Sequence, residues 1–415
     1  MKKWNSVSSI IVVIVIIVGI FVACAPQTPA QPESTGPITI KLGVAEPLSG
    51  SAANYGKLTQ DVDKAFYEVF NKEGFKVGNK TYNFEEIVAD DQGTSEGGAA
   101  AAKKLIYEDG CKIIYAHWDT NFKAIQAVTN PAKVIFFTMT QGEAMPGPGG
   151  YDPATMPYVA FPLAAHEAAA AYIYGIVNAN PNYTRIGIVD TELRRATGWD
   201  TLDKEMDAKG VRYFHQFYSP GTQDFAPYII KCAEAGCDFL YTPDVAASWL
   251  LAKQRWDLGY KNIGVCTTVP ISSVDLWIRV AGYDAVQGYV TAWGALWELK
   301  NVQLNAKQIA MLQETMQLMS EKTGKPYMYT GWTGYGATQA FILSQAMQKA
   351  GTVDDNDAIM EAIRGGTFDL PTGRYTFGGA KTYGSPVVLN GPILQCQIQG
   401  DKEVYYSESI IPPIP

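Results

Sequence analysis

The stretch Ile38-Thr39-Ile40-Lys41-Leu42-Gly43-Val44-Ala45-Glu46-Pro47-Leu48-Ser49-Gly50 opens on apolar residues at every second position and closes on proline and glycine. Alternation of this kind sets Ile38, Ile40, Leu42 and Val44 on one face of a β-strand, which the proline and glycine then turn. Leu58, Val62, Phe66, Val69 and Phe70 follow at helical spacing, so the strand leads into a helix. The rhythm repeats outward from this unit. Strands are expected over 84–89, 112–116, 134–138, 185–190, 211–217, 238–242 and 264–268, with helices over 96–108, 198–209, 224–235 and 246–258. Short strands alternating with longer helices predict parallel sheets covered on both faces, and two such series predict an α/β chain of two doubly wound lobes. A strand at 287–292 and helices at 306–321, 333–349 and 357–364 return the chain to the first lobe. Turn-rich residues 365–385 precede a last apolar stretch, 387–398.

The 415 residues suffice for two or three domains, and 47% hydrophobic with 12% aromatic residues suffices for sizeable cores. The net charge of −8 gives no support for the broad basic face of a nucleic-acid binder. Lys2 and Lys3 precede an apolar run over 10–23, shorter than the ~20 residues of a spanning helix but suited to a signal-peptide core. The run ends in Phe21-Val22-Ala23-Cys24, which is similar to the lipobox of bacterial lipoproteins, with Phe21 in the usual leucine position. Residues 1–23 therefore read as a signal peptide and Cys24 as the site of lipid attachment; cleavage near Ala25 without lipid would instead release a secreted protein. Residues 24–37 read as a tether, since 25–37 hold four prolines and no large apolar residue. The expected address is extracytoplasmic, bound to the membrane through the N-terminal lipid.

Little here resembles a catalytic centre. Three histidines, His117, His166 and His215, form no zinc spacing, and no phosphate-binding loop is present. No metal, cofactor or enzymatic activity is expected. Asp90-Asp91 reads as the cap of a turn, because neighbours at a strand end point to opposite sides. Gly331, Gly334 and Gly336 read as a loop entering a helix. Beyond Cys24 the cysteines are Cys111, Cys232, Cys237, Cys266 and Cys396, which allow at most two bridges. The five-residue step from Cys232 to Cys237 matches no recognised metal or redox motif, and all five read as small buried apolar residues.

Together these residues resemble the leucine/isoleucine/valine-binding family of solute-binding proteins, the type I receptors that deliver ligands to ABC importers. Residues 40–50 with Tyr55-Gly56 are similar to the family's opening strand and loop. Residues 71–74, Asp90-Asp91 and the helix over 99–106 resemble its next unit, while 346–351, 354–363 and 373–378 resemble its late helix pair and closing strand. The resemblance implies two doubly wound lobes joined by a three-segment hinge, crossing near Pro162, Ala292 and Phe377. Lobe 1 would comprise 38–162 plus 293–377, and lobe 2 163–292 plus 378–415.

Carried over by position, the carboxylate-binding elements fall on Thr120 and Asn121 and on Thr140, Gln141 and Gly142. Tyr55 becomes an aromatic lid, and Thr197, Tyr241 and Thr268 fall where relatives contact the ligand's amino end. Here the sequence departs from the amino-acid pattern: uncharged Thr267-Thr268 replace the glutamate that neutralises an ammonium, leaving Asp119, Glu192 or Asp244 to supply a charge. His117, Trp118 and Trp199 suit a flat ligand. The implied function is delivery of a small polar or carboxylate-bearing solute, an amino acid or a related compound, to an ABC permease. The alternative is a ligand sensor on the same fold that signals to a protein partner.

Overall fold

The computed structural model describes residues 36–50, 53–117, 121–138, 151–161, 166–192, 200–219, 221–267, 274–292, 305–324, 327 and 335–410. Strand β1 (Ile38–Glu46) lies inside a six-stranded sheet with β2 (Phe75–Val77), β3 (Lys80–Asp90), β4 (Ile113–Ala116), β5 (Ile135–Thr138) and β6 (Val159–Ala160), in the order β2-β3-β1-β4-β5-β6. β1 pairs in parallel with both β3 and β4, so the winding reverses between β1 and β4. A crevice opens at the carboxyl ends of the strands at such a reversal, because the helices leave on opposite faces.

Helix α1 (Ala53–Phe70) covers this sheet, with α2 (Ser95–Lys103) and α3 (Phe122–Thr129) beside it. Phe66 and Phe70 bury their rings against Phe84 and Phe341, each fully buried ring contributing roughly 1.5–3 kcal/mol. Asn71 fastens the end of α1 to β3, donating to the Phe84 carbonyl at 2.7 Å and accepting from its N–H at 3.0 Å. Thr94 caps α2 by accepting from the Gly97 N–H. The helix expected through 108 gives way at 104 to a π turn that keeps Leu105 buried.

The second sheet runs β16-β15-β11-β10-β9-β7-β8, built from β7 (Ile186–Thr191), β8 (Tyr213–Tyr218), β9 (Phe239–Tyr241), β10 (Gly264–Cys266), β11 (Val290–Ala292), β15 (Pro392–Gln399) and β16 (Lys402–Ile410). Its central strands are parallel, with β15 and β16 antiparallel at one edge. Helices α4 (His166–Ala179), α5 (Asp200–Ala208), α6 (Ala226–Glu234), α7 (Val245–Asp257), α8 (Val274–Ala281) and α9 (Tyr283–Val286) accompany it. Apolar residues are buried on both of its faces: Ile186 and Ile188 of β7 join the large core shared with the first sheet, while Val189 joins a second cluster with Phe225, Leu251 and Trp277.

Helices α10 (Ala306–Thr323), α11 (Tyr335–Ala350) and α12 (Asn356–Ile363) return to the first sheet, α10 and α11 packing on α1. Residues 365–385, read from sequence as turns, contain the hairpin β12 (Thr367–Leu370) and β13 (Gly373–Gly378), followed by the short α13 (Ala380–Tyr383). The apolar stretch 387–398 is two strands. β14 (Val388–Asn390) pairs with β13 and bridges to Phe161, whereas β15 joins the second sheet. Gly391 separates them, because the Tyr375 ring fills the place a Cβ would occupy. The last change of sheet thus falls at 390–392, later than the expected crossing near Phe377.

Candidate functional site

Both sheets change character at their carboxyl ends. β1 is apolar and buried from Leu42 to Ala45 and ends on buried Glu46; β3 ends on Asp90, followed by buried Asp91; β4 is followed by buried His117; and β5 ends on buried Thr138. In the second sheet β7 ends on buried Asp190 and Thr191, while Thr242 and Thr267 follow β9 and β10 and Thr291 lies in β11, all buried. Apolar strand bodies with polar ends gather hydrogen-bonding groups at one rim of each sheet, where an α/β fold holds ligands.

The floor of the first lobe's rim is a buried ionic cluster at the β1/β4 reversal. His117 Nδ1 is in hydrogen-bond contact with Glu46, and its Nε2 lies 3.8 Å from Asp63 of α1. Tyr115 donates its hydroxyl to Glu86 of β3 beside them. Burial opposes the His117 charge, yet Glu46, then Asp63 and Glu86, outweigh it and raise its pKa to about 9. Burial first, and neighbouring acids second, push Asp63 well above the ordinary carboxylate range; burial likewise carries Glu86 to about 7 against the Tyr115 hydrogen bond. The floor thus sets an imidazolium beside Asp63 and Glu86, whose protons burial holds more tightly than usual. Gly336, on the first turn of α11, lies so close to the Asp63 carboxylate that a Cβ would overlap it.

Asp90 and Asp91 shape the loops above this floor. One Asp90 oxygen accepts from the N–H groups of Leu48 (2.9 Å), Ser49 (3.2 Å) and Gln92 (2.9 Å), which holds the opening loop in place. Partial burial works against its ionisation, but these bonds keep its pKa below the ordinary value. Asp91 accepts from the Gly93 N–H at 2.8 Å and from the Asn121 amide at 2.5 Å, and burial raises its pKa to about 6. The pair caps turns, as its adjacency suggested.

Among the residues selected from sequence, His117, Asn121 and Tyr241 are described in full. Asn121 is the residue before α3, buried and turned toward Asp91, with Gly98 leaving room for it: a Cβ there would lie 2.6 Å from the Asn121 Cβ. Tyr241 is fully buried in the core at the end of β9, so truncating it removes packing as well as any ligand contact. Tyr55 lies on the first turn of α1. Trp118, Asp119, Thr120, Thr140, Gln141, Gly142, Thr197, Trp199, Thr268 and Cys24 lie outside the described residues. Of the candidate acids, Glu192 is exposed and accepts from the Ser219 hydroxyl, and Asp244 caps α7 while accepting from the Tyr218 hydroxyl.

Sequence reading missed Glu46, Asp63 and Asp190. A signal for Asp63 was present: Thr59, Asp63 and Tyr67 recur every fourth residue, a polar line inside the buried stripe of α1. Among the described residues no group of three or more His, Cys, Asp or Glu side chains is arranged to hold a metal ion, and no helix is long and apolar enough to cross a membrane.

Residues 39–388 match the periplasmic binding protein family. A Leu/Ile/Val-binding protein homologue of Brucella melitensis is 23% identical over 357 residues, covering 84% of this chain and 89% of the relative. An ABC-transporter solute-binding protein of Rhodopseudomonas palustris, solved with 3,4-dihydroxybenzoic acid, superposes with a TM-score of 0.66 at 20% identity, covering 90% of this chain and 96% of that one. A branched-chain amino acid transporter substrate-binding protein of Streptococcus pneumoniae, solved with isoleucine, also gives 0.66, at 14% identity, covering 90% and 99%. On a match that covers most of the chain, the protein belongs to the periplasmic binding proteins, solute binders of the extracytoplasmic space, and has their type I fold.

Proposed function

We propose that this protein is a receptor that captures one small carboxylate-bearing solute between its two lobes and presents it to an ABC importer, held at the membrane by a lipid on Cys24. The observation that carries the reading is the pair of buried polar rims, one at the carboxyl ends of each sheet, with the ionic cluster beneath the first at its β1/β4 reversal. These groups bind and orient; nothing in the reading breaks a covalent bond. Backbone N–H groups at helix starts and hydroxyls at the rims supply donors to a carboxylate. The three passages between sheets act as a hinge, and the ligand shifts the population toward the closed form by touching both lobes. Thr120, Asn121, Thr140, Gln141 and Gly142 belong on the first wall and Thr197, Tyr241 and Thr268 on the second, with His117 in the floor and Tyr55, Trp118 and Asp119 about the opening.

The two chemistries seen in structural relatives set the test. Native mass spectrometry of the purified chain, followed by thermal-shift measurements with isoleucine, 4-hydroxybenzoate and 3,4-dihydroxybenzoate, is expected to show one bound carboxylate compound per chain and a raised midpoint with at least one probe. Selective stabilisation by the aromatic acids would fit the uncharged Thr267-Thr268 segment; stabilisation by isoleucine would mean that another acid meets the ammonium. Failure of every carboxylate, with stabilisation by a neutral solute alone, contradicts the proposal.

A further inference from the structure

The helix α6 ends in a Schellman motif. The Cys237 N–H donates to the Cys232 carbonyl at 2.9 Å, the Gly236 N–H donates to the Ala233 carbonyl at 2.9 Å, and Gly236 has φ of +76°. This turn brings the side chain three places before the helix end against the one just beyond it, a contact usually made by two apolar groups. Here both are cysteines, so the turn sets their two thiols side by side. The geometry points to Cys232 and Cys237 as a disulfide pair that closes in the oxidising surroundings of an extracytoplasmic protein, pinning the end of α6 to the start of β9.

Three features around the pair favour closure. A Cβ on Gly187 of β7 would lie 2.5 Å from the Cys232 sulfur, so the glycine keeps space for it, and the Gln216 amide holds that sulfur at 3.0 Å. Cys232 is fully buried and only Cys237, 5% exposed, reaches the surface, so Cys237 is the sulfur that meets an oxidant first. The neighbouring Cys232 thiol, and then Arg185 working against burial, hold the Cys237 thiol below its ordinary range, and the Cys237 thiol and burial push Cys232 up. The remaining described cysteines, Cys111, Cys266 and Cys396, are also buried.

With glutathione disulfide as oxidant, the Cys237 thiolate attacks one sulfur, the S–S bond breaks and a glutathione thiolate leaves. Cys232 then gives up its proton, attacks the Cys237 sulfur and displaces the second glutathione thiolate. Two cysteine thiols are oxidised to one disulfide, one glutathione disulfide is reduced to two thiols, and the two cysteine protons pass to the departing thiolates.

Trypsin tests this cleanly, because both cysteines and no others fall between the cleavage sites after Lys231 and Lys253. The full chain is equilibrated with excess glutathione disulfide, quenched in acid, denatured and alkylated with N-ethylmaleimide. The 232–253 peptide is expected to carry no label, to weigh two hydrogens less than the dithiol, and to stay joined after cleavage at Glu234; reduction should then admit two labels. Cys232→Ala is expected to arrest at a glutathione adduct on Cys237, whereas Cys237→Ala leaves Cys232 unmodified in the folded protein. Two labels before reduction, a stable adduct on the unsubstituted chain, or linkage of this peptide to Cys111, Cys266 or Cys396 would overturn the proposal.

Discussion

At the residue scale, His117 is the group on which the first lobe's rim rests. It stood out in the sequence, but its partner Glu46 lies 71 residues away and Asp63 on a separate helix, so only the winding of the sheet brings them together. Tertiary ion pairs of this kind leave no spacing signal, whereas Asp90-Asp91, whose bonds reach neighbouring loops and turns, was legible as a turn cap.

The cluster fixes a pH dependence. The folded chain holds the His117 proton to about pH 9 against an ordinary value of 6.5, so its stabilisation is complete below 6.5 and is lost as pH rises through 9. Glu86, raised from 4.5 to about 7, also binds its proton more tightly when folded, so its ionisation costs stability as pH climbs between those values. Both terms run the same way. The thermal midpoint should therefore decline from about pH 5 to about pH 9, each group contributing at most ~1.4 kcal/mol per unit. His117→Gln leaves Glu46 buried without its cation and should cost about 3–5 kcal/mol at pH 6, as breaking a buried pair does. Melting curves of that variant should also lack the fall between 6.5 and 9; a fall of wild-type size there would remove His117 from the account.

Tyr241 gives a second residue-scale expectation. Its ring is fully buried in the core, so Tyr241→Ala should cost about 3–5 kcal/mol in urea unfolding. Tyr241→Phe keeps the packing and tests the hydroxyl alone. Stability close to wild type in the alanine variant would show that the ring is not packed as described.

At the scale of elements, the β-α alternation was readable because each unit carries its own hydrophobic period, and the expected strands and helices of the first lobe lie within a few residues of those found. The readings that failed depended on partners. β12 and β13 are short, and their burial comes from pairing with each other, from α11 over β12 and from β14 beside β13. The single stretch over 387–398 divided because Tyr375, on another strand, occupies the space beside Gly391.

The opening loop shows how an element is positioned by one side chain. Asp90→Ala removes an ionised acceptor shared by three N–H groups, and should cost about 1.5–3 kcal/mol while leaving the sheet intact. Because that loop lies over the rim, affinity for whichever acid the screen identifies should weaken roughly tenfold, or ~1.4 kcal/mol. Titration of the folded variant giving wild-type affinity would separate the loop from ligand binding.

For the whole molecule, fold class was legible from 38–50 outward, since parallel α/β winding follows from local pattern and right-handed connection alone. Ligand identity was not, because it depends on side chains from distant parts of the chain that no local pattern brings together.

The proposed function is reversible capture without chemistry. Isothermal titration calorimetry of the purified chain with isoleucine, 4-hydroxybenzoate and 3,4-dihydroxybenzoate, followed by mass analysis of the released compound, distinguishes capture from turnover. Saturable binding of one molecule per chain by at least one of them is expected, with a negative heat-capacity change as apolar surface is buried and recovery of the compound unaltered. Absence of binding by all three, or release of a chemically changed product, would contradict the proposal.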